Sequence, residues 1–540
     1  MAEVQVQAGS APAQPYSYDL VPYESQPFAQ SQPDQIAAMA RLFGLSPVPP
    51  ERARVLELGC SAGGNIIPLA ARYPGMQVTG VELSKVEVDE GKATIAAMGL
   101  KNIEIRQANI LDVAKEKKQY DYIIAHGVFS WVPEVVQEAI LKLCGSQLSP
   151  DGVAYISYNV YPGWKMREVI REMMLYHAGK IEEPQAKLAQ GRAILDYARK
   201  INNADSAFGK LLAQEADLAM RANDYYLFHD HMEENNRPCY FKDFAERSYK
   251  YGVTYLGEAS LVDMAPQRFG GDIPQTLNML SNGNIIATEQ YMDFFTNRMF
   301  RQTLLVKDTV ANKLSRALSG ASVRHLHFVG SLTREAVTED GKSKGQLGTY
   351  RDANDRTLTV GEPIMLAVAD ALVDAQPFSA SVDSMVTLLR NRKVVPEATT
   401  DDTLADAVGV QLLTLMLQGM VKTYYSPIVN PTVGDKPVAF AAARGLVGDA
   451  KVLNRARTVP NVFHQISNVS DPQSALLALM DGSRTMEQLQ AGMLARFKDG
   501  SFTASQDGQP VIDEAKLSGI VAQFCANTVK DFARSGLMQP

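Results

Sequence analysis

Residues 55–65 read Val55-Leu56-Glu57-Leu58-Gly59-Cys60-Ser61-Ala62-Gly63-Gly64-Asn65. A short apolar run carrying one carboxylate passes into a turn of small residues, and apolar residues at helical spacing follow to about residue 72. Glycine serves such a turn where the backbone needs positive φ or must admit a ligand closely. The helix that follows opens with N–H groups that have no partner inside it. On either side the pattern repeats. Residues 77–82 form a second strand-like run ending in Glu82, 86–98 are helical, 102–106 alternate and 121–125 are apolar. Residues 134–144 are helical, and the turn Pro150-Asp151-Gly152 leads into a strand at 153–158. Strands alternating with helices predict a parallel sheet covered on both faces, an α/β Rossmann-like fold.

The turn also selects a ligand. Dinucleotide folds prefer Gly-x-Gly-x-x-Gly, with the pyrophosphate on the helix N-terminus. Here the small residues fall at 59, 61 and 63, and Glu57 stands beside them. A carboxylate at that place repels a pyrophosphate and suits an ammonium group. S-adenosylmethionine (SAM) carries one and NAD does not. Glu82, at the end of the next strand, suits the two hydroxyls of a ribose. The candidate cofactor residues of this unit are Glu57, Gly59, Cys60, Ser61, Gly63, Asn65, Glu82 and Leu83.

On these residues the chain resembles the class I SAM-dependent methyltransferases. Glu57-x-Gly59-x-Ser61-x-Gly63 is similar to that family's first motif, Glu82 to its ribose acid, and Gln107-Ala108-Asn109-Ile110 to the segment that holds the adenine. Ser61 replaces the usual middle glycine, and Asn109 the usual aspartate. Longer stretches resemble a narrower group, bacterial methyltransferases with a methyltransferase regulatory domain, which include protein-lysine methyltransferases acting on outer-membrane proteins. These are Tyr18-Asp19-x-x-Pro22-Tyr23-x-Ser25-x-Pro27-Phe28, His126-Gly127-Val128-Phe129-Ser130-Trp131-Val132-Pro133, Asn236-Arg237-Pro238-Cys239-Tyr240-Phe241, Phe300-Arg301-Gln302-Thr303-Leu304-Leu305 and Leu476-Leu477-x-Leu479-Met480-Asp481-Gly482-x-Arg484-Thr485. Ser31-Gln32-Pro33 stands where Thr-His-Pro is usual. The resemblance implies that Asn109 and Ile110 after the third strand and His126, Gly127 and Val128 after the fourth stand at the cofactor, and that an aromatic arm lies over it, with Tyr23 and Phe28 against it. It also implies that strands at 253–256 and 303–307 complete the sheet, so that the helical stretch 164–240 is inserted within the catalytic domain.

Ligands of open α/β sheets bind outside the carboxyl ends of the strands. Two aromatic loops fall at that edge, 126–131 and 158–164, and they hold both tryptophans of the chain. Aromatic walls suit a methylene chain or a cationic amine, so Phe129, Trp131 and Trp164 form a candidate acceptor pocket. A lysine acceptor must first lose a proton, at a cost of about 4.6 kcal/mol at pH 7 from a pKa near 10.4. Tyr158, Tyr161 and His126 are the candidate bases. Residues 125–127 supply neither the acidic cluster of a metal-assisted catechol methyltransferase nor the Asn/Asp-Pro-Pro-aromatic stretch of an enzyme that methylates base amino groups. His229-x-His231 and His325-x-His327 have no third ligand at a metal-binding spacing, so no metal is expected.

The chain has 540 residues, 46% hydrophobic and 21% charged, which is enough for several packed domains. Its 53 basic and 60 acidic residues give a net charge of −7, which argues against nucleic acid as a partner. The four cysteines form no CxxC, and the polar start lacks a secretory pattern. The most apolar stretch, near 408–421, is interrupted by Gln411 and Gln418. A cytoplasmic protein without stable membrane insertion is expected. The expected organisation is an N-terminal arm (1–33), a SAM-binding core (34–165), a helical insertion and regulatory region completing the sheet (166–310), a middle domain (311–430) and a C-terminal domain (431–540). Asp481-Gly482-x-Arg484-Thr485 suggests a winged-helix turn within the last. The helical block 164–222 either covers the sheet or supplies a homodimer interface. A methyltransferase for small acceptors needs only about 200–250 residues. The additional mass suits a macromolecular acceptor, and the expected reaction is methyl transfer from SAM to lysine side chains of a protein. A small-molecule methyltransferase with a regulatory C-terminal half, and a SAM-binding interaction protein without catalysis, are the competing expectations.

Overall fold

The computed structural model describes residues 17–335, 348–393, 395–448, 458–506, 509–511 and 513–539. The first sixteen residues of the expected arm, Tyr16 among them, lie outside the described residues.

The central sheet has seven strands: β1 (Arg54–Leu58), β2 (Gln77–Glu82), β3 (Ile103–Gln107), β4 (Tyr120–Ala125), β5 (Leu148–Asn159), β6 (Val253–Glu258) and β7 (Phe300–Lys307), in the order β3-β2-β1-β4-β5-β7-β6. The first five are parallel, and β7 lies antiparallel between β5 and β6. Val55, Leu56 and Leu58 are wholly buried, as a strand covered on both faces requires. The crossovers are the helices Ile67–Arg72, Lys85–Met98 and Glu134–Gln147, with a short turn of helix at Ile110–Val113. Ser84 caps Lys85–Met98 by accepting the Glu87 N–H, and Gly99 ends it in the left-handed region. Winding reverses between β1 and β4, which opens a crevice at the carboxyl ends of those strands.

The expected turn at Pro150-Asp151-Gly152 is absorbed into β5. The pairing with β4 slips between Tyr120 and Tyr122, so the extra residues bulge while the strand continues.

The β6–β7 pair is joined to the helix Ile285–Thr296 by one guanidinium. Arg301, fully buried, donates from Nη1 to Glu258 Oε1 and Glu289 Oε2, both at 2.8 Å, and from Nε and Nη2 to the two oxygens of Asp293 at 2.9 Å. The guanidinium carbon lies 3.7 Å from the Phe241 ring centre. Between β5 and β6 the helices Trp164–Ala178, Pro184–Ile201, Ala207–Arg221 and Asp224–His231 build a core of their own around Ile170, Met174, Leu188, Leu195, Leu212 and Leu227.

From 311 to 430 the helices Pro363–Ala375, Val382–Asn391 and Asp401–Leu417 are joined by two small sheets. One of these places His327–Gly330 between Ala380–Ser381 and Val421–Tyr424. Strands this short show no alternation to read in the sequence. The last segment combines the helices Ala441–Gly448, Asp471–Leu479, Met486–Lys498 and Glu514–Arg534 with the hairpin Thr458–Pro460 and Ile466–Asn468. It rests on the Rossmann-like unit: a Cβ added to Gly445 would fall 2.4 Å from Met98 Cγ. Among the described residues no helix is long and apolar enough to cross a membrane.

Candidate cofactor and acceptor site

A cavity of about 650 Å³ opens at the carboxyl ends of β1, β2 and β4, a size typical of small-ligand sites. Gly59 (φ +68°) turns the chain out of β1, and a Cβ there would lie 2.5 Å from Val128 Cγ2. Ser61 is left-handed at φ +49°, which gives the physical reason why glycine is usual at this place. The Glu82 carboxylate accepts the Leu83 and Ser84 N–H groups on Oε1 at 2.6 and 2.9 Å and the Ser61 N–H on Oε2 at 3.1 Å.

The arm closes over this floor. Asp19 pairs with Ser84 Oγ at 2.5 Å, and Tyr23 N–H donates to Glu87 Oε1 at 3.0 Å. Gly64 N–H donates to Ser25 Oγ at 2.6 Å, and Phe28 N–H to Asn65 Oδ1 at 2.9 Å. A Cβ on Gly64 would strike the Ser25 carbonyl at 2.4 Å, so the arm lies on bare backbone. The Phe28 ring lies on His126 at 3.9 Å, and His126 Nδ1 meets Tyr155 OH at 2.9 Å. Burial pushes His126 down to about 4, so the imidazole is neutral at pH 7.

Of the residues expected at the cofactor, Glu57, Gly59, Cys60, Ser61, Asn65, Glu82, Leu83, Asn109, Ile110, His126, Gly127, Val128, Tyr23 and Phe28 line the cavity. Gly63 does not; its place is a tight contact with Ile105 and Ile67 behind the turn. The Asn109 amide oxygen accepts the Leu111 N–H at 2.9 Å, which leaves a second lone pair and Nδ2 for a base. Trp131 and Trp164 also line the cavity, edge to face at 6.0 Å.

Three expected residues lie elsewhere. Phe129 is fully buried against Tyr158 and Phe244. Tyr158 stacks on Phe244 at 4.0 Å and bonds Thr303 Oγ1 at 3.0 Å, with its hydroxyl held well above the usual phenol range by burial. Strand alternation decides this: Ser157, accepting the Gly127 N–H, and Asn159, in the cavity wall, face the other way. Tyr161 donates to Glu168 Oε1 at 2.6 Å, outside the cavity lining.

Other lining residues were not foreseen. Tyr226, His229, Asp230, Glu233 and Asn235 come from the helix Asp224–His231 and the turn after it, and Arg167 from the helix Trp164–Ala178. Their stretch of sequence carried only the paired-histidine signal. His229 in fact holds the arm, donating from Nε2 to Val21 O at 2.6 Å and stacking on Tyr18 at 4.0 Å. Burial pushes Asp230 up to about 6 and Glu57 up to about 8.

The donor set fits SAM. Glu57 Oε2 is buried without a hydrogen-bond partner, which suits an ammonium, and Glu82 lines the same cavity at the end of β2, a carboxylate that suits the hydroxyls of a ribose. The comparisons agree. Residues 55–152 match the family model "Methyltransferase domain", 223–307 match "Predicted methyltransferase regulatory domain", and 435–537 match "PKMT, C-terminal winged helix domain". A protein of Rickettsia prowazekii, RP789, is 32% identical over 532 residues, 95% of this chain and 93% of that protein. A second from the same organism, RP028, is 38% identical over 235 residues, 43% of this chain and 94% of that protein. The solved structure of PKMT2 from Rickettsia typhi in complex with AdoHcy superposes with a TM-score of 0.82 at 26% identity, over 96% of this chain and 100% of that one. The fold and site thus define a class I SAM-dependent methyltransferase. The chain belongs to the family in which that core is joined to a methyltransferase regulatory domain and a PKMT winged-helix domain.

Proposed function

We propose that the protein methylates lysine side chains of another protein. The observation that carries this reading is that Trp131, Trp164 and Tyr226 line the same cavity as Asp230 and Glu233. The name of the winged-helix model and the likeness to PKMT2 support it. In this reading Glu57 takes the cofactor's ammonium on Oε2, Glu82 takes the ribose hydroxyls, Asn109 faces the adenine, and Tyr23 and Phe28 close the arm. Bound SAM supplies an electrophilic methyl on a sulfonium. Trp131 and Trp164 line the path of the lysine methylenes, and the carboxylates attract the ammonium. Water-poor surroundings then favour the neutral amine, which carries the attacking lone pair. Asp230, held near 6, is ionised at pH 7 and takes up a proton more readily than an ordinary carboxylate. A reducing compartment suits the four unpaired cysteines.

The test is transfer of radiolabelled methyl from SAM into an extract of the source cells, with heat-killed enzyme as control. Base-stable label in a discrete protein band, located on lysine by mass spectrometry, is expected. Label confined to small molecules would overturn the protein acceptor. Asp230→Asn is expected to lower kcat/KM for the protein acceptor about 30-fold, the worth of one charged hydrogen bond, while S-adenosylhomocysteine (SAH) affinity stays the same.

SAM binding also carries a pH signature. Glu57, raised to about 8, is largely protonated in the free protein at pH 7 and must ionise to pair with an ammonium. Affinity therefore rises with pH between 6 and 8, and protons are released on binding. Titration calorimetry in buffers of different ionisation enthalpy measures that release, and Glu57→Gln should abolish it.

A further inference from the structure

Glu57 is held from behind. Its Oε1 accepts from Asn65 Nδ2 at 2.7 Å, and the Asn65 amide is clamped in turn. Asn65 Oδ1 accepts the Phe28 N–H at 2.9 Å and faces His464 Nε2 at 2.8 Å, and Nδ2 also donates to Ser31 Oγ at 3.0 Å. A backbone N–H can only donate, so the atom facing Phe28 is the amide oxygen. His464 must then carry its proton on Nε2. The imidazole is fully enclosed and neutral, pushed down to about 3 by burial.

His464 comes from 399 residues further along the chain. It occupies the turn of the hairpin Thr458–Pro460 and Ile466–Asn468, with a left-handed backbone at φ +57°. Asn461 braces that turn by accepting the Phe463 and Gln465 N–H groups on Oδ1, both at 3.0 Å. Arg72, at the end of the helix after the cofactor turn, donates to Val462 O at 2.7 Å. The hairpin is thus shaped and anchored to present one ring nitrogen to the back of the cofactor turn.

We propose that His464 is a positioning residue for the cofactor. The C-terminal hairpin locks the Asn65 amide, and through it keeps Glu57 aimed with Oε2 toward the ammonium. The winged-helix segment is then a working part of the SAM site. This rests on the role given to Glu57 above.

The test measures two ligands on the full chain: SAH, which has the ammonium, and 5′-methylthioadenosine, which lacks the amino acid portion. His464→Leu, of similar bulk without a donor, should weaken SAH about tenfold and leave methylthioadenosine unchanged. His464→Gln, whose amide reproduces the donor, should restore SAH to within about twofold. In a Glu57→Gln background His464→Leu should add nothing. If the leucine variant does not fold, His464→Asn, polar but too short to reach, replaces it. Equal losses for both ligands, or no loss for either, would overturn the inference while Glu57 stands. A Glu57→Gln chain that does not discriminate between the ligands would instead sink the Glu57 reading, and this inference with it.

Discussion

Arg301→Met is expected to destabilise the protein by about 3–5 kcal/mol, the cost of leaving buried charge without its partner. The chain should melt about 10 °C lower on the usual scaling for domains of this size. Arg301 is wholly buried and bridges Glu258 of β6 and both Glu289 and Asp293 of the helix Ile285–Thr296. Methionine matches much of its bulk but leaves Arg298 as the nearby cation among the described residues, 3.1 Å from Glu258 and 3.9 Å from Asp293. Arg301→Lys keeps the charge but not the planar fork, so an intermediate loss is expected. Thermal melts of the three chains decide the matter. A methionine variant melting within about 2 °C of the parent would mean that the cluster does not weld the β6–β7 pair to the helix Ile285–Thr296. Because Phe300 and Met299 line the cavity beside it, SAH affinity should fall in parallel.

Glu82→Ala is expected to weaken SAH about 100-fold. Two ribose hydroxyls donating to one ionised carboxylate are worth about 3 kcal/mol together, and the side chain also accepts three N–H groups of the cofactor loops. Glu82→Gln retains an acceptor oxygen, so a loss nearer tenfold should result. Calorimetric titration of the alanine variant giving a loss below threefold would remove Glu82 from the ribose site. Methyl transfer at saturating SAM should be much less affected than affinity, since the acceptor end of the cavity is untouched.

The legible part of the site was the local part. Glu57, the turn at 59–65 and Glu82 belong to one strand–turn–helix–strand unit, whose spacing delivers each of them to the same sheet edge. The tryptophans were legible because loops after parallel strands share that edge. Tyr158 was not, because one residue of strand alternation turns it from the cavity into the pairing with Thr303. Phe129, from the same loop as Trp131, packs against Tyr158 and Phe244, where the helix Phe241–Lys250 covers it.

The sequence by itself determined the Rossmann-like class and the SAM ligand, because both are encoded in apolar periodicity and in residues a few positions apart, where backbone geometry leaves little choice. The two-strand closure of the sheet followed from the family resemblance. Only the tertiary structure decided which distant segments complete the site. Asp230 and Glu233 arrive from a helical insertion, the arm lies across the cofactor turn, and His464 reaches Asn65 from the C-terminal hairpin. Such contacts depend on how packed surfaces dock, and docking is set by shape and hydrogen bonding between whole elements, which no local spacing records.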